Sequence, residues 1–386
     1  MSKLEELINK LCPNGVEFKK LSELMTPNPK SKIGAKKAEQ MLKGEYPFYT
    51  SGKSVYYINE HMVDGENIFV NDGGQADIKY YDGKSSYADH VISFRPINVN
   101  GKYLYYVLMK KKEYINEKMF RGSGIKNINK NDFFNMLLPV PPLEVQCEIV
   151  RILDNFTLLS AELSAELSAR QKQYNFYRDA LYSFKNKEVK YIKLGDIAEI
   201  IRGGNFQKKD FVEEGLPCIH YGQIYTKYGS IIDKTLTYVN INVFNKSKQA
   251  QPNDIIMAVT SENLEDVCKC VVWKGNENVA VSGHTAVIRH TINAKYLGYY
   301  FSTSHFFKDK QKLAHGTKVI EVTPSSLANV LIPVPTQQEQ EKIANIIEKF
   351  DKLCNDISEG LPAEIEARKK QYEYYRDKLL TFKELK

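Results

Sequence analysis

The chain has 386 residues, which exceeds the usual size of one domain, so we expect two domains. Its composition, 42% hydrophobic and 26% charged, is typical of a globular protein. It contains no run of eighteen apolar residues and it begins with a charged amphipathic stretch, so we expect neither a membrane span nor a signal peptide. Its six cysteines are scattered, which predicts reduced thiols in a cytoplasmic protein, and the Cys268-x-Cys270 pair is only a weak indication of zinc.

The net charge of +7 is distributed unevenly along the chain. Residues 1–143 carry a net +5 and residues 189–335 a net +4, whereas residues 144–188 and 336–386 each carry −1. Basic bodies that alternate with nearly neutral connectors are typical of two modules that bind a polyanion. The charge alone is a weak signal, because many ordinary domains carry a similar excess.

The first predicted element is a helix over residues 2–11, whose apolar residues stand at helical spacing. A variable globular part follows, rich in Tyr, Lys, Asn and Gly. Its strands are predicted at residues 67–70, 78–81 and 91–94, and its helix near residues 101–113.

A long helix is predicted over residues 143–184, about 60 Å long at 1.5 Å per residue. Its apolar residues recur at steps of three and four from Ile149 to Leu163, which is a heptad seam. The seam has a four-residue stutter at the tandem Ser-Ala-Glu-Leu repeat of residues 160–167. This tandem is either a solvated stretch of good helix-forming sequence or an adjustable spacer.

A second variable part precedes a last helix. The predicted strands are residues 255–259, 270–273 and 285–289, and the predicted helix lies near residues 293–312. The last helix repeats the heptad seam from Ile343 to Ile357, while Gly360 and Pro362 predict a kink or break in it. Neither long helix can bury its apolar stripe alone, so we predict that the two pair as an antiparallel coiled coil.

Several sequence blocks occur twice, in the same order. They are VEFKKLSEL at 16–24 and VKYIKLGDI at 189–197, LLPVPPLEVQ at 137–146 and LIPVPTQQEQ at 331–340, and ARQKQYNFYRDALYSF at 169–184 and ARKKQYEYYRDKLLTF at 367–382. The turn Arg121-Gly122-Ser123 aligns with His315-Gly316-Thr317, and His90 aligns with His284. The chain is therefore an internal duplication whose variable parts have diverged.

The duplication predicts the fold class: an α+β protein of two tandem, pseudo-two-fold-related mixed α/β domains separated by two long antiparallel helices that form a coiled coil. We place the first domain at residues 1–142, the central long helix at 143–186, the second domain at 187–335 and the C-terminal long helix at 336–386. The N-terminal helix aligns with the end of the first long helix. The start and end of the chain should therefore lie together in a closed body.

Polar, glycine-bearing loops of both domains contain the residue types that bind DNA. Arg, Lys, Asn and Gln read base edges through paired hydrogen bonds, while Lys, Ser, Tyr and backbone amides hold phosphates. Any single such residue is also common in an ordinary surface loop. The candidate DNA-binding residues are Lys36, Lys37, Gln75, Lys79, Arg121, Ser123, Lys126, Arg202, Asn205, Gln207, Lys208, Lys209, Tyr221, Gln223, Tyr225, Lys227 and Lys318.

No catalytic residue is predicted. The chain lacks the G-x-x-x-x-G-K phosphate loop, G-x-G-x-x-G, H-E-x-x-H, G-x-S-x-G and the Asn/Asp-Pro-Pro-Tyr/Phe signature of DNA amino-methyltransferases. Glu188-Val189-Lys190 matches a nuclease E-x-K, but so short a match is common by chance. His90 and His284 fall within strand patterns, and we interpret them as paired structural histidines.

Two variable domains, each followed by Leu-Leu/Ile-Pro-Val-Pro and a long helix, resemble the specificity subunit of type I restriction-modification systems. The resemblance covers nearly the whole chain and rests on Leu137–Pro142 with Gln146, on Leu331–Pro335 with Gln340, and on the tyrosine-rich helix ends. It implies two target-recognition domains, each reading half of a bipartite site in double-stranded DNA. The helical pair would then fix the distance between the half-sites, as dimer geometry does in other DNA readers.

The resemblance also implies partner subunits. Two methyltransferase subunits would bring S-adenosylmethionine, and restriction/translocase subunits would use ATP and Mg, so that this chain itself needs no cofactor and no metal. The Tyr-Arg-Asp ends of the long helices supply the candidate partner-binding residues Arg178, Asp179, Arg376 and Asp377. The alternative for these residues is packing of the helix end against the N-terminal helix.

Two other classes of function stay open from the sequence. One is a stand-alone DNA-binding or scaffold protein of the same architecture, without methyltransferase partners. The other is an enzyme with an unrecognised site.

Overall fold

The computed structural model describes residues 3–41, 44–124, 126–184, 188–204, 206–356 and 359–385. The chain divides into two compact units: unit 1 comprises Met1–Glu162 and Ala367–Lys386, and unit 2 comprises Leu163–Glu366. Each unit combines one of the globular parts expected from the sequence with the helix segments that pack against it.

Unit 1 is a mixed α+β body. Its strands are β1 (Glu17–Lys20), β2 (Met25–Pro27), β3 (Tyr46–Tyr49), β4 (Val55–Ile58), β5 (Glu66–Asn71), β6 (Ile78–Asp82), β7 (Ser86–Tyr87), β8 (Val91–Pro96), β9 (Phe120–Arg121), β10 (Asn127–Ile128) and β11 (Leu137–Val140). Its helices are α1 (Lys3–Leu11), α2 (Ala35–Gln40), α3 (Gly101–Lys110), α4 (Lys112–Lys118), α5 (Lys130–Phe134) and the first part of α6 (Leu143–Leu181). The strands predicted for this part of the chain are confirmed as β5, β6 and β8.

Unit 2 has the same kind of composition with more strands. These are β12 (Lys190–Lys193), β13 (Ala198–Arg202), β14 (Phe211–Val212), β15 (Leu216–Ile219), β16 (Ile231–Ile232), β17 (Thr237–Val239), β18 (Lys248–Ala250), β19 (Ile255–Ala258), β20 (Thr260–Ser261), β21 (Cys270–Trp273), β22 (Val279–Val281), β23 (Thr285–His290), β24 (Ile320–Glu321) and β25 (Leu331–Val334). The helices are α7 (Leu194–Ile197), α8 (Tyr221–Thr226), α9 (Ile241–Lys246), α10 (Ala294–Tyr300), α11 (Ser304–Leu313), α12 (Pro324–Leu327), α13 (Gln337–Asn355) and α14 (Leu361–Leu379), the last of which passes into unit 1.

The two units share one sheet plan. In unit 1, β2, β8, β5 and β6 form an antiparallel sheet in that order, and β4, β3 and β7 form a second, smaller sheet. In unit 2, the corresponding orders are β13-β23-β19-β21-β16 and β14-β17-β15-β22-β18. The parallel pairs β3–β7 and β15–β22 occupy the same place in both plans. The central strands β5 and β19 are almost fully buried; β19 is apolar throughout, whereas β5 has an apolar centre, Ile68–Val70, with buried asparagines on both sides.

The register of one strand pair reproduces the sequence repeat residue for residue. β1 pairs with β11 so that Glu17 faces Val140, and β12 pairs with β25 so that Lys190 faces Val334. These partners are related by the same offsets, 173 and 194, that relate the repeated blocks of the sequence. The duplication is therefore a duplication of three-dimensional structure.

The two ends of the chain meet in unit 1. The Val16 amide donates to the carbonyl of Lys383 at 2.9 Å, and the Leu385 amide donates to the carbonyl of Val16 at 2.9 Å. Gly15 has a φ of +118°, and a β-carbon there would stand 2.6 Å from the Lys383 carbonyl oxygen. This approach needs glycine. The proximity of the two chain ends that the sequence predicts is confirmed.

The two long helices differ in continuity. α6 is unbroken from Leu143 to Leu181, whereas the second is divided into α13 and α14. At the division, a β-carbon on Gly360 would lie 2.5 Å from the carbonyl oxygen of Lys352, and Pro362 stands in the first turn of α14. The break predicted at Gly360 and Pro362 is confirmed, while Ile357 lies outside the described residues.

Within each unit, a segment of α6 packs against a segment of the second long helix. In unit 1, the Phe156 ring, early in α6, stacks on Tyr375, late in α14, with ring centroids 5.4 Å apart. In unit 2, Tyr177, late in α6, stacks on Phe350 of α13 at 5.8 Å. The seam between the segments is only half buried, because Leu159 and Tyr177 keep 47% and 44% of their surface exposed.

The most deeply buried line of α6 shares only its first seam residue, Ile149, with the predicted heptad seam. Val145, Ile149 and Leu153 are fully buried and belong to the core of unit 1. Their four-residue spacing turns them toward the globular part, while the later heptad position Phe156 contacts the partner helix. The first turns of α6 are therefore part of the domain core as well as of the helical pair.

A buried glutamine joins each long helix to its globular part, and we call this arrangement the amide clamp. Gln146 accepts from the Asn100 amide at 2.8 Å and donates to the Pro141 carbonyl at 2.7 Å. Gln340 makes the same two bonds in unit 2, to the Asn293 amide at 3.0 Å and the Pro335 carbonyl at 2.9 Å.

The amide clamp also holds the start of the neighbouring helix. Asn100 and Asn293 cap α3 and α10 by accepting from the Tyr103 and Tyr296 amides. The hydroxyls of the same tyrosines donate to the Pro139 and Pro333 carbonyls of β11 and β25. The Pro-Val-Pro segment, the long helix and the capped helix are thus bonded to one another in both units.

Replacement of Gln146 by alanine should lower the free energy of unfolding by about 1–3 kcal/mol, because the buried Asn100 amide and Pro141 carbonyl lose their partner. Gln171→Ala, at an exposed position of the same helix, is the control and should change it by less than about 0.5 kcal/mol. Urea unfolding of the two variants measures the difference, and equal stability would rule out a clamp at Gln146.

Candidate nucleic-acid interface

In unit 1, two polar turns are bonded into one surface. The Gly74 amide donates to the Lys126 carbonyl at 2.8 Å, and the Ile128 amide donates to the Asp72 carbonyl at 2.9 Å. These bonds join the loop between β5 and β6, residues 72–77, to the hairpin of β9 and β10, residues 120–128. We call these two segments the joined turns of unit 1. The structure thereby brings together four of the candidate residues, all of them exposed. They are Gln75, Arg121, Ser123 and Lys126.

The β5–β6 loop is held from below by a buried asparagine. Asn71 donates to the Gly73 carbonyl at 2.7 Å and to the Gln75 carbonyl, and its Oδ1 accepts from the Asp77 amide at 2.6 Å. Gly74 has a φ of +88°, a conformation that favours glycine. The loop is therefore shaped by its own hydrogen bonds, which leaves Gln75 exposed at its outer side.

Arg121 is exposed but not free. Its guanidinium lies 2.5 Å from a carboxylate oxygen of Asp132, while two thirds of its side chain remains in contact with solvent. A guanidinium offers five N–H donors, so donors remain for another partner. The ion pair orients the group and reduces its net charge.

Lys79 has a structural task in the fold. Its Nζ donates to the carbonyls of Thr50 and Gly52 at 2.9 and 2.7 Å and pairs with Asp77 at 2.7 Å. An ammonium has three N–H donors, so these three partners engage all the donors of Lys79. Lys79 therefore holds the turn of residues 50–54 that follows β3. Lys53, at the exposed tip of this turn, is a basic residue that sequence reasoning missed.

Lys36 and Lys37 are exposed on α2, which packs on β4 through the buried Ala38. No hydrogen bond or ion pair found among the described residues joins them to the β5–β6 loop.

Unit 2 repeats the joined turns with a different sequence. Thr260 and Ser261 of β20 pair with Glu321 and Ile320 of β24, which joins the loop between β19 and β21, residues 259–269, to the turn of residues 315–321. Gly316 has a φ of +106° and Gly122 a φ of +140°. This agreement confirms the alignment of the Arg-Gly-Ser and His-Gly-Thr turns. Lys318 is exposed in the second of them.

The β19–β21 loop was missed as a candidate in the sequence. Ser261, Glu262 and Asn263 stand at its open tip, in the position that Gln75 has in unit 1. The sequence could have indicated this loop only by its position, because it follows the strand equivalent to β5. Since the loop is acidic, a search for basic and amide residues does not select it. A glutamate can accept from the amino group of cytosine.

The glycines of Arg202-Gly203-Gly204 serve packing. A β-carbon on Gly203 would lie 2.1 Å from the Ser282 carbonyl oxygen, and one on Gly204 would lie 2.9 Å from the Lys248 amide. Arg202 pairs with Glu321 at 2.8 Å and half of its side chain is exposed. Asn205 lies outside the described residues. Gln207, Lys208 and Lys209 are exposed at a short 3₁₀ turn.

Around α8, some candidate side chains are engaged in hydrogen bonds within the unit and others remain accessible to solvent. Gln223 accepts from the His220 amide at 2.9 Å and donates to the Thr237 hydroxyl at 3.1 Å, so both ends of its amide are engaged. The Tyr225 hydroxyl donates to the Thr260 carbonyl and supports the β19–β21 loop. Tyr221 is half-buried and Lys227 is exposed.

The paired histidines lie beside the joined turns. His90 Nδ1 is 3.5 Å from an Asp72 carboxylate oxygen, and His284 Nδ1 is 3.0 Å from the Thr260 hydroxyl. Each histidine thus contacts the first residues of the loop after the central strand. Tyr221 packs between the rings of His220 and His284, with centroids 4.5 and 4.9 Å apart.

The Tyr-Arg-Asp helix ends contact their own units. Arg178 lies over the Tyr174 ring at 5.3 Å, and Asp179 accepts from the Ser304 amide of α11 at 3.0 Å. In unit 1, Arg376 lies over Tyr372 at 6.0 Å, and the Asp377 carbonyl accepts from Lys110 of α3 at 3.0 Å. These contacts are made with α3 and α11, whereas the packing alternative in the sequence named the N-terminal helix.

Metal and membrane sites are not found in the part of the chain that the structure describes. No group of three or more His, Cys, Asp or Glu side chains there could hold a metal ion. Burial raises the pKa of Cys268 and of Cys270 to about 12, so neither thiol is poised as a thiolate ligand. None of the described helices is long and apolar enough to cross a membrane.

Comparison with known proteins points to one family. A model of the type I restriction modification DNA specificity domain matches residues 13–170 and 186–367. A type I restriction enzyme specificity subunit of Escherichia coli is 32% identical over 406 aligned positions, which cover 99% of this chain and 97% of that protein. One from Methanocaldococcus jannaschii is 24% identical over 89% of this chain and 87% of its own length.

A solved structure has the same fold. The crystal structure of the S subunit of a type I restriction-modification system from M. genitalium matches with a TM-score of 0.61 at 16% identity, over 99% of both chains.

The histidine before α8, His220, is held in its neutral form by its surroundings, so we expect its protonation to destabilise unit 2. Burial lowers the pKa of His220, and the charges of Lys208 and His284 lower it further. Its neutral Nδ1 accepts from the Gly222 amide at 3.2 Å. Since the folded state disfavours the proton, this contribution to stability is complete above the ordinary pKa of about 6.5 and is lost as pH falls through the folded pKa.

We therefore expect His220→Asn, which keeps a side-chain acceptor at the helix cap, to show a shallower loss of thermal stability between pH 7.5 and 5 than the parent. The exposed His61→Asn is the control and should leave the slope of melting temperature against pH unchanged. Parallel slopes for the parent and His220→Asn would contradict the assignment.

Proposed function

Because this chain belongs to the family of type I restriction-modification DNA specificity proteins, we propose that each of its units reads one half of a bipartite site in double-stranded DNA through its joined turns. The observation that supports this most directly is the repetition of the joined turns. Both units carry them at equivalent places on the same sheet plan, with unrelated side chains at the tips. One scaffold with two different reading surfaces is what two different half-sites require.

The chemistry of the exposed residues favours a division of labour. Gln75, Arg121 and Glu262 are exposed and carry amide, guanidinium or carboxylate groups that match base edges, whereas Lys126 and Lys318 match phosphates. Other exposed lysines of the two units would add affinity that depends on salt. They are Lys36, Lys37, Lys53, Lys208, Lys209 and Lys227.

The role is recognition and not catalysis. We propose that chemistry is supplied by partner subunits: two methyltransferase subunits that carry S-adenosylmethionine, and restriction/translocase subunits that use ATP and Mg. Recognition then determines where those partners act.

For the partner surface, we propose the flanks of the Tyr-Arg-Asp helix ends. Arg178 and Arg376 are largely covered by contacts within their units, and Asp377 is about half exposed. The neighbouring rings of Phe176 and Tyr374 are 68% and 63% exposed, and they stand at equivalent positions of the repeat. Exposed aromatic rings of this size are typical of binding surfaces.

The test is selection from a pool of random-sequence DNA by the chain in complex with its methyltransferase partner, followed by sequencing of the bound fragments. We expect two short blocks of fixed bases separated by a fixed number of arbitrary bases. A single continuous motif, or none, would overturn the proposal of one half-site per unit.

The Ser-Ala-Glu-Leu tandem provides a second test. Residues 160–167 lie in the unbroken α6, at the point where the chain passes from unit 1 to unit 2. One further Ser-Ala-Glu-Leu would add about 6 Å of helix and nearly preserve its face. At about 3.4 Å per base pair, the gap between the half-sites should lengthen by one or two base pairs.

The same four residues inserted after Lys84, in an exposed turn of unit 1, provide the control and should leave the gap unchanged. An unchanged gap after the insertion in α6 would reject the spacer role and leave the half-site reading intact.

A further inference from the structure

One position of the repeat lies behind the joined turns in both units. Asn116 of α4 and Lys310 of α11 each stand five residues before the aligned Arg-Gly-Ser and His-Gly-Thr turns. Both side chains reach from the helix to the loop that follows the central strand. Neither residue belongs to the exposed tips that would face DNA.

In unit 1, the side chain at this position accepts a hydrogen bond. Asn116 Oδ1 receives the Ala76 amide at 2.5 Å. Ala76 is buried directly after the exposed Gln75. The bond therefore fixes the backbone at the residue next to the candidate base reader.

In unit 2, the side chain at this position donates. Lys310 Nζ gives hydrogen bonds to the Glu265 carbonyl at 3.1 Å and to the Val267 carbonyl at 2.8 Å. The residue is 5% exposed, and its ammonium lies 4.8 Å from the centre of the Phe307 ring. A buried ammonium is costly unless such donors are satisfied, so the loop and the lysine hold each other in place.

The two loops differ in shape where they meet this position. The β5–β6 loop turns back at once through Gly74, whereas the β19–β21 loop is longer and reverses at Cys268, which has a φ of +65°. The Cys268 amide then donates to the Ala258 carbonyl at 2.8 Å. The loop of unit 1 thus presents a backbone amide to an acceptor, Asn116, and the loop of unit 2 presents two carbonyls to a cation, Lys310.

We propose that Asn116 and Lys310 are positioning residues for specificity: each fixes the loop after the central strand of its unit, and thereby the bases that unit prefers, without touching DNA. The inference rests on the proposed function of the two units. Base discrimination through paired hydrogen bonds requires side chains held in one geometry, which a loop secured from behind provides.

The experiment compares Asn116→Leu and Lys310→Met with the parent chain, each in complex with the methyltransferase partner, by selection from the random DNA pool. Asn116→Leu should reduce discrimination against mismatched bases in one half-site by roughly ten-fold or more, and Lys310→Met should do so in the other. Each variant is the control for the other, because its second half-site should keep the parental preference. Affinity for non-specific DNA and its dependence on salt should not change.

Conservative variants separate positioning from folding. Asn116→Asp keeps an acceptor for the Ala76 amide, so unit 1 should retain the parental half-site preference. Lys312→Met removes an exposed lysine of the same helix as Lys310, α11, and unit 2 should retain its parental half-site preference. If Lys310→Met does not fold, the Asn116→Leu and Asn116→Asp pair decides the question alone.

The outcomes are distinguishable from failure of the proposed function. If the parent complex selects no bipartite motif, the proposed function fails at the outset. If the parent selects such a motif and the folded variants leave both half-sites unchanged, or relax both together, the positioning role is overturned.

Discussion

The buried amides of Gln146 and Gln340 hold each long helix to its own globular part, and the placement of the other elements depends on that connection. One side chain bonds the start of the long helix, the Pro-Val-Pro segment and the cap of the neighbouring helix. An unpaired buried amide or carbonyl costs more than a hydrogen bond gains, so the arrangement admits few alternatives. The sheets that carry the joined turns are thereby set against the helices in both units.

The candidate interface uses many of its polar residues to build its own shape. Asn71, Lys79 and Tyr225 bond loop backbone, and Gln223 closes a helix cap. What remains for DNA is a smaller set of exposed groups on rigid turns. This distribution suits recognition of a defined sequence, since base reading depends on fixed geometry while phosphate binding needs only exposed positive charge.

Much of the architecture could be predicted because the chain is duplicated. The offsets between the repeated blocks reappear as the register of β1–β11 and β12–β25, and Gly360 with Pro362 marks the helix break. The individual contacts could not be predicted. Lys79 and Gln223 are of residue types that bind DNA, yet their side chains bond Thr50 and Thr237, which lie in other segments of the chain. The DNA-binding residues as a set remain a prediction.

By itself, the sequence determined the internal repeat and most of the helix and strand pattern, because these depend on periodicity and on local signals such as glycine and proline. Its two Pro-Val-Pro blocks also carried the resemblance to a family. Only the tertiary structure decided which polar side chains are engaged and which are open, since that depends on contacts between distant segments. It also decided that the acidic loop of residues 259–269 occupies the place of the Gln75 loop. Residues 116 and 310 acquire a role for the same reason: each reaches its loop only when the chain is folded.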